Sequence, residues 1–146
     1  MAIHFSPAIT GAPPVEVRSN VSVFKSRVDE VPGPDNRLDQ QPRATANLGF
    51  DYKLRTLPLT LAAGLNWTPG GTLQQTLIQQ SVTPTKRVID ASATWAIDRD
   101  TQLRLSASNL APLDYNTSTV ITTADNRIST DNLGRSFTVW QLRWEK

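Results

Sequence analysis

The chain has 146 residues and no cysteine. A disulfide scaffold and a thiolate zinc site are therefore excluded. Its one histidine, His4, lies in an irregular N-terminal stretch. A His-based catalytic triad or a multi-His metal centre has no basis, and His4 reads as a solvated surface residue. Charge of one sign is also scarce. Fifteen basic residues face 13 acidic ones, the formal net charge is +2, and no Lys/Arg run occurs. This balance argues against a nucleic-acid partner. No run of about 18 apolar residues is present, so a transmembrane helix is not expected. Strands cross a membrane with only about 9–11 alternating residues, and that route stays open. The opening stretch "MAIHFSPAITGAPPVEV" lacks a basic region followed by a long apolar one. No secretory signal is read there, and residues 1–13 are expected to be irregular.

Period 3.6 is missing along the chain, whereas period 2 recurs. Residues 43–54 alternate almost without error: Ala44, Ala46, Leu48, Phe50, Tyr52 and Leu54 fall on one side. Arg43, Thr45, Asn47, Gly49, Asp51 and Lys53 fall on the other. "VEVRSNVSVF" places Val15, Val17, Val21 and Val23 on one face, broken only by Ser19. "LTLAAGLNWT" collects Leu59, Leu61, Ala63, Leu65 and Trp67. "RVIDASATWAID" sets Ile89, Ala91, Ala93, Trp95 and Ile97 against Asp90, Ser92, Thr94 and Asp98. "QLRLSASNL" opposes Leu103, Leu105 and Ala107 to Gln102, Arg104, Ser106 and Ser108. The last strand, in "RSFTVWQLRWEK", carries Trp140, Leu142 and Trp144 on one face.

Residues 14–146 thus read as an all-β antiparallel meander of about six amphipathic strands. The connections alternate: long (27–42), short (55–58), long (69–86, a polar, Gln-rich hairpin loop with room for strand extensions), short (98–100) and long (111–134). In a meander, alternate connections lie at opposite ends. All short turns therefore fall at one end and all long loops at the other, as in outer-membrane barrels. Tyr52, Trp95 and Trp144 lie at the short-turn end of their strands, and Trp67 lies at the long-loop end. All four are on apolar faces, as interfacial aromatic girdles require. The opposite faces are rich in Ser, Thr, Asn, Gln and Asp, which suits a watery lumen better than the solvent face of a soluble barrel. The expectation is that the oily face meets lipid and the strands are part of a transmembrane β-barrel.

The stretches "VSVFKSRVDEVPGPDNRLDQQPRATANLGFDYKLR", "LNWTP" and "TQLRLSASNLAPLDY", with Trp140 and Trp144 in a terminal strand, resemble the C-terminal barrel of TonB-dependent outer-membrane receptors. "SNLAPLDY" is similar to the family's Asn-Leu…Asp-Tyr element after the penultimate strand. The resemblance covers about residues 14–146. It implies a 22-stranded barrel with a plug in its lumen, importing iron chelates such as siderophores, or other scarce nutrients. It implies an outer-membrane location, with membrane lipid, the rest of a receptor barrel and its plug, and the barrel-assembly machinery as partners. That machinery would read the strand holding Trp140, Leu142 and Trp144. With about six strands and no plug, the chain reads as the C-terminal part of a receptor or a remnant of one. Transport by it alone is not expected.

No enzyme chemistry emerges. Asp98 and Asp100 flank a tight turn and read as turn formers. "DNRLDQQ" lacks the spacing of a calcium loop, and "TPGGT" lacks the lysine and helix of a phosphate loop. No cofactor or metal site is expected. On the polar faces, Arg18, Arg43, Asp51, Lys53, Asp90, Arg104 and Arg143 are expected to face the lumen, chiefly to hydrate it. The alternative is a soluble β-barrel or sandwich that binds a ligand, with the apolar face as its internal core.

Overall fold

The structure is a computed structural model that describes residues 15–29, 31, 33, 35–39 and 41–146. The irregular segment expected at 1–13, with His4, lies outside the described residues. Ten strands form two antiparallel sheets, and no helix occurs among the described residues.

The larger sheet holds β1 (Val15–Val23), β2 (Ala44–Lys53), β3 (Leu59–Thr68), β6 (Lys86–Ala96), β7 (Gln102–Ser108) and β10 (Val139–Glu145). Its spatial order is β1-β2-β3-β6-β7-β10, a meander in which each strand lies beside the next one of the sheet in the chain. These are the six strands expected from period 2.

The register decides how their faces combine. Directly opposed residues point to the same side of a sheet. One row runs Leu142, Leu105, Ala93, Leu61, Tyr52 and Val15. The next runs Trp140, Ala107, Ala91, Ala63, Phe50 and Val17. A slip of one residue in any of the five pairings would have turned that strand inside out. None has slipped, so the separate apolar faces fuse into one continuous surface.

The two short connections behave as turns. In 97–101, Asp98 Oδ1 accepts the Asp100 N–H at 2.9 Å and the Thr101 N–H at 2.8 Å. These bonds, the Asp100 amide first, hold the Asp98 carboxyl below the usual carboxylate range.

The long connections are more ordered than polar loops: the hairpin loop expected at 69–86 does carry strand extensions, and the loop expected at 111–134 is itself a pair of strands. The first contains β4 (Gly71–Gln74) and β5 (Gln79–Thr83), and the second contains β8 (Tyr115–Thr122) and β9 (Arg127–Gly134). They form a second sheet, β4-β5-β8-β9. β5 and β8 belong to different connections and pair from Gln79 opposite Ile121 to Val82 opposite Ser118. That pairing is possible only if both connections leave the large sheet at the same end. It supports the expected separation of short turns from long loops.

Candidate functional site

Three surfaces carry the chemistry: the apolar face, the polar face and a pocket where the loops meet.

The apolar face is bare. Among the described residues the one buried apolar side chain is Ala107, at 4% exposure. Leu142 is 67% exposed, Trp140 64%, Trp144 62% and Trp95 52%. Val17, Val21, Leu48, Phe50, Leu61, Leu65 and Trp67 are exposed as well. The second sheet does not lie over this surface, so no sandwich core forms from it. A contiguous apolar patch spanning six strands far exceeds what soluble monomers leave open.

The aromatic residues lie where the sequence places them along the strands. Trp95 opposes Leu59 and Leu103, and Leu103 opposes Trp144, so both tryptophans share the row nearest the short turns. Tyr52 lies one row further in, opposite Leu61 and Val15. Trp67 opposes Ala46 and Arg87 at the long-loop end. Along β3 the distance from the row of Leu59 to that of Trp67 is about 26 Å at strand rise. At the tilt of about 40° of outer-membrane barrel strands that path rises about 20 Å, against an apolar band about 25 Å tall between the aromatic girdles. Trp140 shares the middle row with Ala63 and Phe50. It forms part of the broad face rather than a girdle.

The polar face is built mostly from short residues, with a few long charged ones among them. Asn20, Asn47 and Asn66 form one cross-strand row, and Gly49 opposes Gly64 in the next. Asp51 is ion-paired with Arg18, whose Nε also lies 3.5 Å from Glu16. Arg104 directly opposes Arg143, and its guanidinium reaches Ser92 Oγ at 3.5 Å. Arg143 is held by Glu145 at 2.6 Å. Two arginines opposed across a ladder repel. They remain tolerable because water reaches both. Around them Asp90, Ser92, Ser106 and Gln141 line an open depression of about 430 Å³.

Of the residues expected on this face, Asp51, Lys53, Asp90 and Arg104 share its register, but their surroundings differ. Asp90 is a fastener: its Oδ1 accepts the Asn109 N–H at 2.9 Å. Arg43 stands at the loop-end rim, paired with Asp35 at 2.6 Å, beyond the open part of the face.

Asn109 is a structural hub that alternation does not reveal. Its φ is +58°, the one positive value among described non-glycine residues. Its Nδ2 donates to Phe137 O at 3.1 Å and to Ser136 Oγ, while Thr138 Oγ1 donates to Asn109 O at 2.9 Å. Asp114 Oδ1 accepts the Ser136 N–H at 2.9 Å. The "SNLAPLDY" stretch therefore clamps the exit of β7 to the entry of β10.

The pocket lies at the long-loop end. Asn36, in the connection ahead of β2, is buried and donates to Val28 O at 2.9 Å and Val31 O at 2.8 Å. This segment is tied to the second sheet by Gln74 N to Asp35 O at 3.0 Å and Gln75 Nε2 to Asp39 Oδ1 at 3.3 Å. A cavity of about 570 Å³ lies between them, reached by Arg37, Gln41, Arg43, Ser81, Thr83 and Lys86. Its residues come from segments far apart in the chain, so no local spacing announces it.

Comparisons with protein families, with curated proteins and with solved structures returned no match for this chain.

Proposed function

We propose that the chain is a segment of an outer-membrane β-barrel, of the TonB-dependent receptor type that its sequence resembles, with its apolar face against lipid. One observation carries this reading. Five strand pairings bring every apolar face to the same side, and that side is left uncovered. Water penalises such a surface by roughly 25 cal/mol per Å², whereas hydrocarbon does not. The face of short polar residues opposite it suits a wet lumen. The aromatic rows near the two ends suit two lipid–water boundaries.

In this reading β1 and β10 are supplied with neighbours by further strands, because open edges in hydrocarbon cost several kcal/mol per unsatisfied group. A six-stranded sheet encloses no lumen. Import of iron chelates or similar nutrients therefore belongs to a complete receptor with its plug, and this chain contributes wall. A soluble ligand-binding sandwich would need the apolar face as its core, and the second sheet leaves that face bare.

The test is tryptophan fluorescence of the purified chain in buffer and in detergent micelles. The expected result is a blue shift only in micelles, as Trp67, Trp95, Trp140 and Trp144 leave water. A folded, blue-shifted monomer in plain buffer would mean that the apolar face is an internal core, and the barrel reading would fall.

A further inference from the structure

We propose that the loop-end pocket binds a small, water-borne polyhydroxy carboxylate of the sugar-acid class. The inference stands on the pocket and does not need the apolar face to meet lipid.

Size comes first. At about 570 Å³ the cavity falls in the range of small-molecule sites. It gathers Arg37, Asp39 and residues 41–43, the junction of β3 with β4, strand β5, the start of β6 and Thr117 of β8.

Charge comes second. Three cations reach the cavity, Arg37, Arg43 and Lys86, against one carboxylate, Asp39. Arg43 is neutralised by Asp35. Arg37 and Lys86 form no salt bridge with any described residue. The Arg37 Nη2 donates to the Phe24 carbonyl at 2.6 Å, and the Lys86 ammonium sits 5.6 Å from the centre of the Tyr115 ring. Both residues are thus anchored but have no counter-anion among the described residues, and a ligand carboxylate would supply one through charge-assisted bonds.

Hydrogen bonding comes third. Among the described residues Arg37 Nε and Gln41 Oε1 are buried and have no hydrogen-bond partner. Both residues line the cavity, and their side chains carry donor and acceptor groups. A ligand that only accepts would suit the guanidinium but leave the Gln41 side-chain carbonyl without a donor. Hydroxyl groups both donate and accept, and they also match Ser81, Thr83 and Thr117 around the wall. The combination selects a carboxylate that carries several hydroxyls.

Position fixes the source. Thr68 and Lys86 oppose each other on the polar register of the large sheet, the side away from the apolar surface. The pocket is therefore offered to solutes in water.

The experiment is isothermal titration calorimetry of the full chain in micelles with a non-sugar headgroup. Three probes are compared: gluconate, glucose and inorganic phosphate. Saturable gluconate binding is expected, with glucose and phosphate each weaker by about tenfold or more. Lys86→Gln and Arg37→Gln should each weaken gluconate by about tenfold, the loss of one charge-assisted bond. Arg104→Gln, on the open depression, should leave affinity unchanged. Far-UV circular dichroism checks that the strands persist. If Arg37→Gln unfolds, Lys86→Gln decides. The proposal is overturned by absence of saturable gluconate binding, by glucose or phosphate binding as tightly, or by unchanged affinity in a folded Lys86→Gln.

Discussion

At the scale of single residues, the polar side chains that matter most fasten segments together. Asn109 is the clearest case. A left-handed backbone costs an ordinary L-residue about 1–2 kcal/mol, and asparagine tolerates it better than most. Its side-chain amide then reaches Ser136 and Phe137, across the connection that leads into β10. Asn109→Ala loses both the conformational tolerance and the amide bonds. A loss of about 2–3 kcal/mol is expected from these two sources. Asn109→Gly restores the conformation without the bonds and should recover about half. Urea unfolding midpoints of the micelle-bound chain measure both. Equal stability of all three proteins would show that the clamp is ornamental. Asp90, expected only to face the lumen, belongs to the same fastening through the Asn109 N–H. Nothing in period 2 distinguishes a carboxylate that hydrates a surface from one that holds a turn.

At the scale of elements, the six strands of the large sheet are legible because each repeats one simple choice, apolar then polar. Ala44–Lys53 and Leu59–Thr68 show it most plainly. Of the second sheet, the hairpin at 69–86 is legible only as a loop with room for strand extensions, and the pair at 111–134 is not legible as strands. Tyr115–Thr122 reads YNTSTVIT and Arg127–Gly134 reads RISTDNLG, with no apolar face to alternate. Their order comes from backbone pairing between distant connections, above all β5 with β8, and a single sequence does not display that information. The base of the first hairpin is tightly built. A Cβ on Gly70 would stand 2.6 Å from Thr83 O and from Thr85 N, both backbone atoms. Gly70→Ala must therefore move the backbone, at a cost of about 1–3 kcal/mol. Amide hydrogen exchange should accelerate about tenfold or more in Gly71–Gln74 and Gln79–Thr83. Exchange in Ala44–Lys53 should stay as it was. Uniform acceleration throughout the large sheet would mean that the hairpin and the sheet unfold as one unit.

At the scale of the whole molecule, the question is which solvent each face meets, and neighbouring positions on one strand give the sharpest test. Ala91 and Ser92 are consecutive in β6 and point to opposite sides. Ala91 lies in the middle row of the apolar face, between Ala63 and Ala107. Ser92 lies on the polar face beside Ala62 and Ser106. If the apolar face meets hydrocarbon, Ala91→Lys places a charge near the centre of the bilayer and costs about 2–4 kcal/mol. Ser92→Lys adds a cation to a hydrated surface and should cost less than about 1 kcal/mol. If the faces were reversed, with the apolar side closed into a protein core, Ala91→Lys would abolish folding in buffer as well as in lipid. If both faces met water, the two substitutions would be nearly equal. Reversible unfolding in lipid vesicles, followed by tryptophan emission, separates these cases. A difference of at least 1 kcal/mol, with Ala91→Lys the weaker protein but still folded, is the outcome that follows from one continuous, uncovered apolar surface set against a face of short polar residues.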